Sequence, residues 1–221
     1  MTLILGIDDA GRGPVLGPMA LAGVIIKEED NNKLTTWGAK DSKLLTPKQR
    51  KEIKQKIISN FKHHVETSAP KEIDEHKNLN LLEAEKAAKI INHLTKNTNQ
   101  KIKVIIDCPS INIKSWTKDV QKLLDNPKNI ILNCEHKADL NHPVVSAASI
   151  IAKEKREDEI YKLKQLLNID FGSGYPADPK TKDFVKENFN NPKYKNLIRH
   201  SWSTIKKLTR GKQQKLFSNN P

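Results

Sequence analysis

Four aspartates stand where the chain could build a site for metal chemistry. Asp8 and Asp9 follow the apolar run LILGI, and Asp107 follows a second apolar run, KVII. In an open α/β sheet, functional groups collect beyond the carboxyl ends of parallel strands. If the two runs are parallel neighbours, Asp8 and Asp107 meet at one edge of the sheet. Asp139 stands just before a long helical segment, near the positive end of its dipole.

Carboxylates that cluster in this way repel one another unless cations neutralise them. Sites made only of oxygen ligands suit Mg²⁺ or Mn²⁺. The cluster therefore predicts a divalent-metal site. An ordinary role stays open for each aspartate taken singly, because Asp before Gly or Pro is common turn and cap chemistry. For Asp139 a capping role is an equal alternative.

The elements that must position these residues alternate between strands and helices. Apolar, β-branched runs predict strands at 2–8, 19–27, 61–68, 103–107 and 129–134. Helices are predicted from the capping box Thr46-Pro47-Gln49, from Asn80 with Glu83, around Trp116, and from Pro143 to about Leu167. The stretches 34–45 and 172–179 are predicted to be loops. This order indicates an α/β sheet in one domain.

The bulk composition favours a polyanionic partner. The 221 residues include 39 Lys and Arg against 26 Asp and Glu, so the formal net charge is +13 and the sequence pI is about 9.6. Nucleic acid is the first partner that such a surplus indicates, and an anionic membrane the second. A lysine-rich proteome is the alternative reading of the same charge.

Apolar runs, the start of the chain and the two cysteines indicate where the protein works and whether its thiols are paired. The chain has no apolar run of the roughly 18 residues that a membrane helix needs, and its start lacks the pattern of a signal peptide. We therefore expect a cytoplasmic protein. Cys108 and Cys134 lie in apolar, strand-like stretches, so we expect buried, inert thiols, neither a disulfide nor a zinc site.

Two phosphate-binding motifs fail on spacing. Gly6 and Gly11 have the spacing of a P-loop, but Arg12 and Gly13 replace its Lys and Ser/Thr. Pro14 is incompatible with a Rossmann turn. An ATP or dinucleotide cradle is therefore not expected.

Seven stretches, in order from residue 4 to about 205, resemble the type 2 ribonucleases H, in particular the archaeal ribonuclease HII form. They are GIDDAGRGPVLGP, AKDSKLL, NLNLLEAE, VIIDCPS, ADLNHPVVSAASIIAKEKRE, GSGYPADP and RHSWSTI. The resemblance implies a ribonuclease H-like mixed β-sheet flanked by helices. It also implies a catalytic domain over 1–180, a C-terminal helical extension of that domain over 181–210, and a flexible tail over 211–221.

The resemblance further implies a metal-dependent endonuclease of DNA replication and repair. Such an enzyme cleaves the RNA strand of RNA/DNA hybrids and cuts at single ribonucleotides in duplex DNA, leaving 3′-hydroxyl and 5′-phosphate ends. The family's four catalytic, metal-binding carboxylates fall on Asp8, Asp9, Asp107 and Asp139.

Substrate-binding residues are also implied by the resemblance. Gly11, Arg12, Gly13 and Tyr175 correspond to the group that reads the 2′-hydroxyl. Lys40, Ser42 and Lys43 correspond to phosphate contacts. A solvated loop at 40–43 and a loop aromatic at Tyr175 remain the alternatives for these positions.

One catalytic position departs from the family pattern. The family usually has Asp-Glu before Ala-Gly-Arg-Gly, whereas this chain has Asp8-Asp9. Aspartate is one methylene shorter, and about 1 Å of misplacement can cost on the order of 100-fold in rate. We expect an active enzyme with a preference for Mn²⁺ over Mg²⁺.

Two alternative functions stay open after the resemblance, and so does the role of the tail. The chain could be a resolvase-like nuclease of the same fold, or a protein that binds hybrids without cleaving them. The tail residues Gln213, Leu216 and Phe217 resemble peptides that bind sliding clamps, although Asn219 and Asn220 stand where such peptides have aromatics. We expect a monomer.

Overall fold

The protein is described by a computed structural model that covers residues 2–39, 45–76, 78–98 and 100–218, with only the backbone given for 211–218. Lys40, Ser42 and Lys43 lie outside the described residues. Their predicted phosphate contacts therefore stay a prediction.

The described strands are β1 Leu3–Ala10, β2 Met19–Lys27, β3 Lys62–Ser68, β4 Ile102–Asp107 and β5 Ile130–Glu135. They form a five-stranded mixed sheet with the order β3-β2-β1-β4-β5. Strands β1 and β4 are parallel neighbours, with Ile7 opposite Ile106, and β4 and β5 are also parallel. Strand β1 pairs with β2 in the antiparallel direction. The predicted mixed α/β fold is confirmed, and so is the parallel pairing on which the meeting of Asp8 and Asp107 depends.

Helices fill most of the connections between the strands. They are α1 Asn31–Thr36, α2 Pro47–Asn60, α3 Pro70–Glu75, α4 Leu79–Thr95, α5 Ile113–Lys122, α6 Ala138–Asn141, α7 Pro143–Leu167, α8 Pro179–Asn188 and α9 Ser203–Ser218. Helix α2 begins as predicted: the Gln49 amide donates to the Thr46 hydroxyl, and the Thr46 amide donates to the Gln49 side chain. The predicted long helix from Pro143 to Leu167 is also confirmed.

Two local predictions were wrong. Residues 34–36 belong to helix α1 and not to a loop, because the buried side chain of Leu34 packs into the core. Helix α4 is capped by Asn78, whose side chain accepts from the Asn80 amide, and not by Asn80. Glu83 is therefore not part of a capping box. It lies on the buried face of the helix.

The chain divides into two compact units. The first comprises Met1–Ala10, Ala20–Thr67 and Asn78–Arg156, and it contains nearly all of the sheet. Its core is apolar and includes side chains from β1, β2 and β4 and from the first half of α7. That half of α7 is rich in alanine and small residues, as the sequence VVSAASIIA indicates.

Gly6 is a position in this first unit where two stretches of backbone approach closely. A Cβ built on Gly6 would lie 2.5 Å from the carbonyl carbon and oxygen of Val144 and 2.6 Å from the amide nitrogen of Val145. The neighbours are backbone atoms at the start of α7, so they cannot rotate away as a side chain could. Glycine at this position lets the helix lie directly on β1, two residues before Asp8.

We expect Gly6→Ala to destabilise the fold by about 3 kcal/mol, the upper part of the usual range for overpacking a core. Urea unfolding followed by circular dichroism measures this. Gly13→Ala is the matched control, because a Cβ at Gly13 has its nearest neighbour at 3.8 Å. Equal midpoints for Gly6→Ala and the unsubstituted chain would contradict the close approach.

The second unit comprises Gly11–Met19, Ser68–Lys77 and Glu157–Pro221. It has its own apolar core, to which Phe171, Phe184 and Tyr194 contribute aromatic rings in contact with one another. The backbone of helix α9 continues to Ser218, beyond the predicted extension at 181–210. The predicted domain boundaries and the flexible tail stay predictions.

Both cysteines are free. Cys108 is buried as expected, whereas Cys134 is only partly buried, so the expectation of a buried thiol was wrong for it. Its partial burial raises the pKa of the Cys134 thiol to about 11, so that thiol is protonated near neutral pH. Among the described residues, no helix has the length and apolarity needed to cross a membrane.

Candidate active site

Asp8 and Asp107 stand side by side at the carboxyl edge of the parallel pair β1 and β4. Each is one residue beyond the paired residues Ile7 and Ile106. Asp8 is only 6% exposed, and the backbone amide of Asp9 donates to its Oδ1 at 2.8 Å. The backbone amide of Ala138 donates to Oδ1 of Asp107 at 3.2 Å. The two carboxylates are therefore held in place by main-chain donors.

The electrostatics of this pair are unfavourable without a cation. Burial raises the pKa of the Asp8 carboxyl well above its ordinary value, and the charges of Asp9 and Asp107 raise it further. The Ser149 hydroxyl and the Asp9 amide act in the opposite direction but do not outweigh burial. The folded chain thus holds a carboxylate that is stabilised when positive charge arrives.

Asp9 borders a small cavity together with Asp8 and Asp107. The cavity has a volume of about 10 Å³, and its lining includes Asp8, Asp9, Asp107 and Glu83. Asp9 is partly buried, and its charge raises the pKa of the Asp8 carboxyl. Glu83, from helix α4, is 1% exposed. A fourth carboxylate therefore stands at this cavity, one that the sequence analysis had placed in a cap.

Asp139 lies in the short helix α6 and is 4% exposed. The residue before it, Ala138, donates to Asp107, so the chain around Asp139 is fixed to the end of β4. The turn into α6 is made by Lys137, which adopts a left-handed conformation with φ of 59°. Asp139 does not line the cavity that Asp8, Asp9 and Asp107 border.

A hydrogen-bonded pair joins strand β5 to the start of helix α7. The ring nitrogen Nε2 of His142 lies 2.8 Å from Oε1 of Glu135, the last residue of β5. Burial alone would raise the pKa of the Glu135 carboxyl. The hydrogen bonds from the Asn141 amide and from His142 outweigh burial, so the pKa is lowered. Glu135 stands opposite Asp107 in the parallel ladder. His142 therefore has a structural partner, and it fixes the α6–α7 junction close to the carboxylates.

The donor chemistry at this edge fits a hard divalent cation, because the carboxylates supply only oxygen ligands. Among the described residues, no three His, Cys, Asp or Glu side chains are arranged, as they stand, to hold a metal ion. Mg²⁺ usually keeps several water ligands and takes only one or two carboxylates from a protein, so this edge offers enough oxygen ligands without a third side chain.

The segment Gly11-Arg12-Gly13 belongs to the second unit and is a sharp turn. Gly11 has φ of 87°, a conformation that favours glycine. Gly13 has no positive φ, and a Cβ built on it would meet only Cε1 of Tyr175, at an ordinary 3.8 Å. Tyr175 is 43% exposed. The structure therefore brings Gly13 and Tyr175 together, while their reading of the 2′-hydroxyl stays a prediction.

Glu83 and Arg199 are among the buried charged residues that sequence reasoning missed. Glu83 could have been noticed as a carboxylate on the helix face that carries Leu82 and Ala87. Arg199 is fully buried and donates to the turn at residues 11–17. No local pattern connects it to residues almost 190 positions earlier in the chain.

Comparison with known proteins gives one consistent result. A family model described as Ribonuclease HII matches residues 5–205. A Ribonuclease HII from Methanococcus maripaludis strain C6 is 44% identical over 225 residues, which cover 97% of this chain and 91% of the relative.

Solved structures give the same result. The crystal structure of the ribonuclease H2 from Pyrococcus horikoshii OT3 superposes with a TM-score of 0.83 at 37% identity, over 96% of this chain and 99% of that one. RNase HII in the PCNA:RNase HII complex from Archaeoglobus fulgidus gives 0.80 at 34% identity, over 91% and 95%. The chain therefore belongs to the ribonuclease HII family and is a nuclease, an enzyme of the hydrolase class.

Proposed function

We propose that this chain cleaves the RNA strand of RNA/DNA hybrids and also cuts duplex DNA on the 5′ side of an embedded ribonucleotide. The products would carry 3′-hydroxyl and 5′-phosphate ends. The observation that carries the proposal is the mutually repelling pair formed by the buried Asp8 and the partly buried Asp107 at the ends of two parallel strands. Membership of the ribonuclease HII family supports the same substrate class.

In this proposal the carboxylates of Asp8, Asp9, Asp107 and Asp139 hold two Mg²⁺ or Mn²⁺ ions. When bound, the ions supply water activation and stabilisation of the leaving 3′-oxygen. Asp8 and Asp107 provide the core of the site, since main-chain amides already orient both carboxylates. Asp9 and Asp139 complete it from the strand end and from helix α6.

The turn Gly11-Arg12-Gly13 and the side chain of Tyr175 recognise the ribose in this proposal. The 2′-hydroxyl is the group by which a protein distinguishes RNA from DNA. Gly13 supports this role, because neither its φ nor its surroundings require glycine for folding. A glycine that folding does not require is expected where the backbone must approach a ligand closely.

Phosphate contacts follow from charge. The net charge of +13 favours binding to a nucleic-acid backbone, and Lys40, Ser42 and Lys43 are proposed as contacts from the family resemblance alone. Affinity is expected to fall as salt rises, in proportion to the number of phosphates contacted.

The proposal is tested with an end-labelled DNA duplex that contains one ribonucleotide, incubated separately with Mg²⁺ and with Mn²⁺. An all-DNA duplex and an RNA/DNA hybrid run beside it, and Asp107→Asn is the inactive control. We expect a cut on the 5′ side of the ribonucleotide, with a product that a DNA polymerase extends from its 3′-hydroxyl.

Three outcomes would contradict the proposal in different ways. Cleavage of the all-DNA duplex would indicate a resolvase-like nuclease. Tight binding to the hybrid with no cleavage in either metal would indicate a binding protein that Asp9 has disabled. Neither binding nor cleavage would mean that the family's activity is lost from this chain.

Asp9→Glu tests the departure from the family pattern. Glutamate adds one methylene and restores the usual reach, so we expect cleavage in Mg²⁺ to rise by about 10-fold or more and the Mn²⁺ preference to weaken. Initial rates in both metals measure this. A large loss of activity would show instead that the site, with Glu83 already at the cavity, is built around the shorter acid.

We also propose that the C-terminal residues Gln213, Leu216 and Phe217 bind a sliding clamp. The Archaeoglobus fulgidus relative was solved as a complex with PCNA, and this is the observation that favours the proposal. Replacing Leu216 and Phe217 with alanine is expected to abolish clamp binding in surface plasmon resonance while cleavage of a short duplex is unchanged. Unchanged clamp binding would contradict the proposed contact.

A further inference from the structure

Arg199 is a fully buried arginine whose guanidinium donates hydrogen bonds to main-chain carbonyls. Its Nε donates to the carbonyl of Gly17 at 2.9 Å, Nη1 to that of Arg12 at 3.0 Å, and Nη2 to that of Gly11 at 2.7 Å. Its side chain is inaccessible to solvent. The guanidinium thus binds two carbonyls of the turn and a third from Gly17, four residues after the turn, a pattern that a lysine ammonium on a flexible stem does not reproduce.

Trp202 extends this arrangement by one residue. Its Nε1 donates to the carbonyl of Gly13 at 3.1 Å, and its ring lies against the Arg199 guanidinium with 4.9 Å between Cζ and the ring centroid. The carbonyls of three consecutive residues, Gly11, Arg12 and Gly13, are therefore all bound by side chains of one segment.

The direction of these carbonyls fixes the direction of the amides that follow them. The peptide bonds of the turn are trans, and in a planar trans peptide the C=O and the next N–H point in opposite directions. Because the carbonyls of Gly11 and Arg12 face Arg199, the amides of Arg12 and Gly13 face away from it. Pro14 has no amide hydrogen, so the Arg12 and Gly13 amides are the two donors whose direction these carbonyl contacts set.

The segment that carries Arg199 is itself anchored. The carboxylate of Asp74 accepts from the His200 amide at 2.7 Å, from the Ser201 amide at 2.9 Å and from the Ser201 hydroxyl at 2.6 Å. The Arg199 amide also donates to the carbonyl of Val15 at 2.9 Å. A fixed guanidinium can impose one orientation on the turn.

We propose that Arg199, supported by Trp202, is the positioning residue that aims the Arg12 and Gly13 amides at the ribose of the substrate. The inference rests on the proposed function, since it assumes that this turn reads the 2′-hydroxyl. It assigns to a buried side chain the selectivity that the family resemblance gives to the turn alone.

The test compares Arg199→Lys and Trp202→Phe with the unsubstituted chain. Dissociation constants are measured in Ca²⁺ for a duplex with one ribonucleotide and for the same duplex as DNA, and kcat and KM are measured in Mn²⁺. Phe184→Leu is the matched control, because Phe184 lies in the core of the same unit, where its ring contacts Phe171 and Tyr194 and makes none of the hydrogen bonds to the carbonyls of Gly11, Arg12 and Gly13.

We expect Arg199→Lys to lower kcat/KM on the ribonucleotide duplex by about 100-fold, the cost of roughly 1 Å of misplacement, with most of the loss in kcat. The ratio of the two dissociation constants should fall towards one, while binding of the DNA duplex and its salt dependence stay within about 3-fold because no phosphate contact is lost. Trp202→Phe keeps the stacked ring and should show a smaller change in the same direction.

The outcomes separate this inference from the proposed function. If the unsubstituted chain does not discriminate between the two duplexes, the proposed function fails and the inference fails with it. If it discriminates and a folded Arg199→Lys does so equally, only the inference is overturned. Should Arg199→Lys not fold, a folded Trp202→Phe with unchanged selectivity overturns it. An equal loss of selectivity in Phe184→Leu would reduce Arg199 to a structural role.

Discussion

Replacing Asp107 or Asp8 with asparagine is expected to lower kcat/KM on a ribonucleotide-containing duplex by at least about 1,000-fold. Each change removes a charged ligand from the proposed metal site, and stabilisation of transition-state charge by a bound metal is worth several kcal/mol. Asparagine has nearly the same shape, so the main-chain donors at Asp9 and Ala138 keep an oxygen to bind. The loss should therefore be chemical and not structural.

Although Asp8→Asn should lower activity, it should raise the stability of the folded chain. Burial and neighbouring charge raise the folded-state pKa of Asp8 above its unfolded value, so ionisation of Asp8 destabilises the folded chain as pH rises through that pKa. Above it and without metal, the asparagine variant should melt at a higher temperature than the unsubstituted chain. Added Mn²⁺ should reduce the difference, because the cation stabilises only the carboxylate form.

Calorimetry with and without Mn²⁺, together with cleavage rates, measures both halves of this prediction. Asp119→Asn is the matched control, because Asp119 lies on the surface of α5 and pairs with Lys122. Its activity and its melting temperature should be nearly unchanged. An Asp107→Asn variant that retained activity within 10-fold would exclude Asp107 from the metal site.

Signals that are local in the chain were enough to predict the frame of the site. Apolar runs that end in aspartate predicted β1 and β4, and the capping residues around Thr46 predicted the start of α2. Both depend on neighbouring residues only, through strand burial and hydrogen bonds to the first helical turn.

Where two local signals compete, tertiary packing decides. Asn78 and Asn80 can both cap a helix, and the sequence NLLE favours Asn80 with Glu83. In the structure Asn78 is the cap, so Leu82 and Glu83 fall on the buried face of α4. Helix α1 has only six residues, and so short a helix depends on packing, here of Leu34, more than on propensity.

The contacts that hold the turn could not be predicted locally at all. Arg199 and Gly11 are 188 residues apart, and an arginine in RHSW indicates a surface cation by composition alone. Its burial becomes intelligible only with the three carbonyls in place, since a buried charge must be hydrogen-bonded. Selectivity is therefore the part of this site that the sequence revealed least.

Gly13→Ala is expected to separate folding from function. Its Cβ would enter space that the fold leaves open, with Cε1 of Tyr175 at 3.8 Å, and the backbone conformation is one that alanine adopts. Replacing glycine at such a position stabilises a protein by about 0.4–1 kcal/mol, because the unfolded chain loses freedom. The variant should therefore melt at or above the temperature of the unsubstituted chain.

Cleavage should nevertheless fall by about 100-fold, because a methyl group beside the Gly13 amide keeps the ribose from the backbone by roughly 1 Å or more. Gly6→Ala should behave in the opposite way, with a large loss of stability from its clash with Val144. Thermal melts and single-turnover cleavage of the two variants, measured together, decide the matter. Full activity in Gly13→Ala would mean that the substrate does not approach this turn, and the reading of the 2′-hydroxyl would then have to lie elsewhere.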